Sequence, residues 1–93
     1  MQRHIKVFRE FYGIGDQDPP LICALCPKQM NDVHHIHSRG LKGFEYKGEY
    51  FDINHILNLI PLCREDHNGA HGGKYTKDYL LKINEKRTLL WSK

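Results

Sequence analysis

The chain has 93 residues, of which 40 % are hydrophobic and 27 % charged, with a net charge of +3. That length suits one domain and excludes two independent cores, and no apolar run approaches the roughly 20 residues of a membrane-spanning helix. The basic start lacks the apolar core of a signal peptide, so a cytoplasmic protein is expected, and the mild positive charge permits a polyanionic partner without establishing one.

Residues 3–12, RHIKVFREFY, place Ile5, Val7, Phe8, Phe11 and Tyr12 at the spacing of an amphipathic helix. Gly13, Gly15 and the Pro19–Pro20 pair end it in a loop. LICALCPKQM then carries Cys23-x-x-Cys26, a turn holding two thiols, and DVHHIH reads as a strand crowded with imidazoles. SRGLKGFEYKGE reads as a polar, glycine-punctuated loop, with Arg39, Lys42 and Lys47 interleaved with aromatic residues. LNLIPLC predicts a second short strand, and REDHNGAH a short helix stopped by Gly72–Gly73. TKDYLLKINEKR predicts a final helix capped by Thr76, with Leu80, Ile83, Arg87 and Leu90 along one stripe.

Three cysteines make an odd count, a poor disulfide framework and a better metal one. Cys63-x-x-Asp66 repeats the spacing of the first pair with a carboxylate in the last place. A structural zinc is therefore expected on Cys23, Cys26 and Cys63, with Asp66 as the fourth ligand and His67 or His4 as alternatives. Such a staple stabilises a domain too small to rely on apolar burial alone. The competing reading, buried thiols acting as small hydrophobes, needs no metal. Redox chemistry at Cys23–Cys26 would require a βαβ context, which the sequence does not supply.

His67 and His71 are four residues apart, which puts both imidazoles on one face of a helix. A helix can offer two metal ligands in this way, and His34 or His35 supplies a third if the strand packs against it. His4 and His55, each isolated, read as ordinary surface or core histidines.

His34-His35, Asn58, His67 and His71 together resemble the HNH endonuclease motif of the ββα-metal, or His-Me finger, fold. The histidine-rich form is most similar to the colicin-type nucleases, and the likeness covers Cys23 to His71. It implies a zinc knuckle and ββα-metal core over 21–73, and with the helices read above over 3–12 and 76–90 the expectation is a single α+β domain spanning 1–93. It implies His35 as general base, His34, His67 and His71 as ligands of a catalytic Mg, Mn, Ni or Zn ion, and Asn58 as the residue holding the base and its loop. Double-stranded DNA is then the partner, Arg39, Lys42 and Lys47 are candidate phosphate contacts, and the setting is a bacterial or phage-infected cell. The chain departs from the pattern in Asp66, where cysteine is common, and in the long segment between His35 and Asn58. So small a recognition surface suggests weak base specificity or a partner protein. Neighbours on a regular strand point to opposite faces, so His34 and His35 share a site only where the strand ends or bends. His37 is the minor alternative base and Asn54 a weaker rival to Asn58. The rival function is a non-catalytic zinc-binding module for nucleic acid or protein.

Overall fold

Apolar residues at helical spacing wind Arg3–Tyr12 into α1, which buries His4, Phe8 and Tyr12. The computed structural model describes residues 2–15, 17–19 and 21–91, so Pro20, half of the diproline, lies outside the described residues. α1 ends at Gly13, whose φ of 67° is left-handed, and the Ile14 N–H closes the end on the Arg9 carbonyl at 2.9 Å. A side chain with a Cβ resists that φ, which is why glycine stands there.

β1 (Asp32–His35) pairs antiparallel with a distant strand, Leu59–Leu62, setting Asp32 opposite Leu62 and His34 opposite Ile60. The segment between them is not the irregular loop expected. Gly43–Tyr46 forms β2 and Glu49–Asp52 forms β3, a hairpin with Phe44 opposite Phe51, so Leu59–Leu62 is β4. Its two-residue turn, Lys47–Gly48, has φ of 51° and 82°. Two positive φ values twist the chain in the sense that joined strands require. At Gly43 a Cβ would lie 2.6 Å from the Tyr50 ring, so only hydrogen fits.

β4 is buried at all four positions and enters from a 3-10 turn over Ile56–Asn58. Its Pro61 carbonyl accepts the Ala24 N–H at 2.9 Å, which ties the Cys23–Cys26 turn to this strand. α2 (Arg64–His71) follows at once and packs against both β1 and β4.

α3 (Lys77–Trp91) begins where Thr76 Oγ1 accepts the Tyr79 N–H at 3.1 Å. It buries Leu80, Leu81 and Asn84, whereas Leu90 is 71 % exposed, contrary to the expected stripe. Asn84 occupies the centre of that face. Its amide nitrogen donates to the carbonyls of Ile56, Leu57 and Leu59 at 2.7–3.2 Å, fastening α3 to the entrance of β4. One apolar cluster joins Ile36, Phe44, Leu57, Ile60, Leu62, Leu80 and Leu81, and a second lies under α1 around Phe8, Tyr12 and Leu59. The described residues thus form a small α+β domain of three α-helices and two antiparallel sheets. No described helix is long and apolar enough to cross a membrane.

Candidate active site and metal centres

Because Asp32 and His34 are two apart on β1, both side chains face α2. The helix answers with His67 and His71, one turn apart. The His34 ring stands 4.9 Å from that of His67 and 5.1 Å from that of His71, and the three can offer nitrogen atoms within 4.8 Å of one another. Asp32 Oδ2 accepts the His67 Nδ1–H at 3.0 Å, which leaves the His67 Nε2 lone pair pointing inward. Nε2 of His71 faces it across 3.0 Å. Two ligands bound tetrahedrally at about 2.0–2.1 Å to one ion sit roughly 3.3 Å apart, so this spacing fits a shared divalent cation. Burial, and then the nearby His67, His71 and His35, lower the His34 pKa to about 4. His34 is therefore neutral near pH 7 and retains a lone pair to donate.

The second cluster gathers Cys23, Cys26, Cys63 and Asp66, again with ligand atoms within 4.8 Å. Asp66 Oδ2 lies 3.2 Å from Cys23 Sγ and 3.3 Å from Cys63 Sγ, and Cys26 Sγ is 3.6 Å from Cys63 Sγ. All three cysteines are free. Sulfur ligands at about 2.3 Å in a tetrahedron stand roughly 3.8 Å apart, so the donor set fits a zinc-sized ion. Tyr75 donates its hydroxyl to Asp66 Oδ1 at 3.1 Å, holding the other oxygen toward the thiols. The Lys28 backbone draws the Cys26 pKa down, but desolvation and hydrogen bonds with Asp66, Cys63 and Cys23 carry it up to about 12. A divalent cation would reverse that balance by favouring thiolate. Neither alternative fourth ligand joins this cluster. His67 is held by Asp32 and faces His71, and His4 packs on His35.

His35 ends β1 on the face opposite His34, and beyond it the chain bends at Ile36–His37. Both neighbours nevertheless line one cleft of about 720 Å³, together with Arg39, His67 and His71. His35 Nε2 lies 2.9 Å from Asn54 Oδ1. An amide oxygen only accepts, so Nε2 carries the hydrogen and Nδ1 the free lone pair. The amide touching the imidazole is thus Asn54, the weaker rival, and Asn58 acts on the backbone. Fully buried Asn58 accepts the His37 N–H at 2.7 Å and donates to the carbonyls of His37 at 3.2 Å and Ile53 at 2.9 Å. It clamps the exit of β1 to the end of the hairpin. His37 itself stacks on Phe44 at 4.9 Å, and burial first, then Lys77, lowers its pKa.

Of the three basic residues read as phosphate contacts, Arg39 lines the cleft. Lys42 is exposed at the foot of the hairpin. Lys47 at the hairpin tip binds Glu85 Oε1 at 2.9 Å and lines none of the cavities that hold His35.

Sequence reasoning passed over Asp32, Tyr75 and the placement of His4. Asp32 had a readable signal, because a carboxylate two residues before a histidine on a strand shares its face. Nothing in the sequence announces Tyr75, which reaches Asp66 from the turn after α2. No protein-family model matches this chain, and no curated protein or solved structure does either.

Proposed function

We propose that the protein is a metal-dependent endonuclease of the HNH type, with a ββα-metal core formed by β1, β4 and α2, hydrolysing phosphodiester bonds in double-stranded DNA. The observation that carries this reading is the convergence of His34, His67 and His71 from two chain segments beside an imidazole that is not part of their cluster. His34, His67 and His71 would hold a divalent ion, Mg, Mn, Ni or Zn, and when bound it supplies charge neutralisation at the phosphate and the departing oxygen. Cys23, Cys26, Cys63 and Asp66 would hold a structural zinc.

His35 acts as the general base. Its hydrogen bond to Asn54 fixes the tautomer whose Nδ1 accepts a proton from the attacking water. Asn58 sets the path of the backbone leaving His35 and so the direction in which the ring is presented. Arg39 lies within the cleft, where a guanidinium can pair with phosphate oxygens.

The test is plasmid cleavage with each of the four ions, comparing wild type with His35→Ala. Loss of the base should slow cleavage by about 100- to 10,000-fold, while calorimetry still detects the ion. Equal rates for the two proteins would remove His35 from its role. Absence of cleavage by the wild type with every ion would favour a non-catalytic zinc-binding module.

A further inference from the structure

α1 begins without the usual protection of a helix N-terminus. Gln2 stands at the N-cap, its side chain makes no capping hydrogen bond, and the first turn contains no acidic residue. The N–H groups there lack partners within the helix and carry the positive end of its dipole. This end opens into a cavity of about 550 Å³, walled in part by Gln2, His4 and Ile5. A smaller space of about 250 Å³ adjoins it, where the first turn meets His35, Arg39 and Asn54, with no carboxylate in its wall.

A second, independent observation concerns His4. Its side chain is only 7 % exposed, yet neither ring nitrogen has a hydrogen-bond partner among the described residues. The ring rests 4.5 Å from that of His35. The His4 nitrogens are not sealed from solvent, and His4 lines both cavities, so the ring can meet a ligand there. Arg39 is exposed, borders both cavities and has no ion pair among the described residues. A guanidinium, an unpaired imidazole and an open helix N-terminus thus face one space, and each is a donor to anions.

We propose that His4, Arg39 and the first turn of α1 form a phosphate subsite beside His35, which holds a backbone phosphate of the nucleic acid. α1 then belongs to the substrate-binding surface, and the inference rests on the phosphodiester reading above for the identity of its ligand. The subsite anchors the strand beside His35, and His4 and Arg39 also line the cleft that holds His34, His67 and His71, so an anchored phosphate lies next to both the base and the ion site.

The experiment has two arms. In the first, isotope-labelled wild type is titrated with inorganic phosphate and followed by nuclear magnetic resonance. The His4 ring nitrogens and the amides of residues 3–5 should shift and saturate, and Arg39→Gln should weaken the response at least about fivefold. No movement at these positions, or an unchanged response in the variant, overturns the proposal. In the second arm, a short DNA duplex is bound without added divalent ion by wild type, Arg39→Gln, His4→Gln and a control, Lys86→Gln, on α3 outside both cavities. Arg39→Gln should raise Kd about tenfold and reduce the salt dependence by roughly one ion, whereas the control stays within about twofold. His4→Gln, compared at matched folded fraction from its melting curve, should also weaken binding, and the wild-type ring signals decide the matter if it does not fold. Equal effects of Arg39→Gln and Lys86→Gln would reduce the cluster to general electrostatics and overturn the subsite. Phosphate shifts without any effect of Arg39→Gln on the duplex would make it a free-phosphate site and overturn the backbone assignment. Intact phosphate and duplex binding with no cleavage under any ion would sink the nuclease reading and leave the subsite standing. Cleavage with no phosphate response would do the opposite.

Discussion

Replacing Asn58 with alanine tests the frame of the site more directly than any ligand mutation. The side chain is fully buried and makes three hydrogen bonds, all to backbone groups. Its removal leaves the His37 N–H and the carbonyls of His37 and Ile53 without that partner. An unmet buried polar group costs about 1–3 kcal/mol, and the part-buried His37 groups recover some of this from water, so the total should be about 3–5 kcal/mol. A domain of this size has about 5–14 kcal/mol in hand and loses about 4–8 °C of melting temperature per kcal/mol. The variant should therefore melt at least about 12 °C lower, with an unchanged denaturant m-value. Urea titration and calorimetry read both quantities. Asn54→Ala is the matched control. Asn54 is half-buried and its side chain bonds the His35 ring, so its loss should leave the fold within about 1 kcal/mol and fall on activity. If the two variants melt alike, the division between a backbone clamp and a ring-orienting amide is wrong.

Three further outcomes are expected. Cys26→Ser, or a strong chelator, should unfold the domain far below its normal melting temperature, because metal binding and folding free energy are shared in such sites; an unchanged calorimetric melt would remove the zinc. Asp32→Ala frees Nδ1 of His67 and should weaken ion binding at the histidine cluster about 10- to 100-fold by titration calorimetry, and an unaltered affinity would deny Asp32 its orienting part. His55 is exposed, but its Nδ1 accepts the Leu57 N–H at 3.1 Å, and partial desolvation of the ring lowers its pKa against the pull of Asp52. The unfolded chain therefore takes up this proton first. Its contribution is whole above the ordinary pKa of about 6.5 and drains away as the pH falls below that value. Melting temperatures from pH 7.5 to 5 should fall less steeply in His55→Ala, and parallel curves would count against this account.

Periodicity exposed the elements whose faces are chemically uniform. α1 alternates apolar and charged residues at helical spacing, and Cys63 followed by REDHNGAH marks a helix start that the structure has at Arg64. The hairpin was obscured because its glycines read as loop punctuation, although Phe44 and Tyr46 alternate with polar neighbours around a two-residue turn. α3 misled for another reason. The centre of its buried face is Asn84, a polar residue whose value lies in three carbonyls contributed from 25 to 28 positions away. No hydropathy pattern encodes such partners. The histidines of α2 were legible from their spacing, and the thiols from theirs. The contact between His4 and His35 was not, since it depends on where α1 lies across β1.

Asp66 and His67 are consecutive residues of α2, one reaching the thiols and the other the imidazoles. A single peptide unit therefore couples the two donor sets. Adding one residue between them would swing everything on its far side by about 100° and destroy their common alignment. Were both sets to hold ions, any effect of one on the affinity of the other would by linkage be equal in both directions. This short helix is thus an axle with two hubs, free to vary along its outer face but intolerant of any change in length.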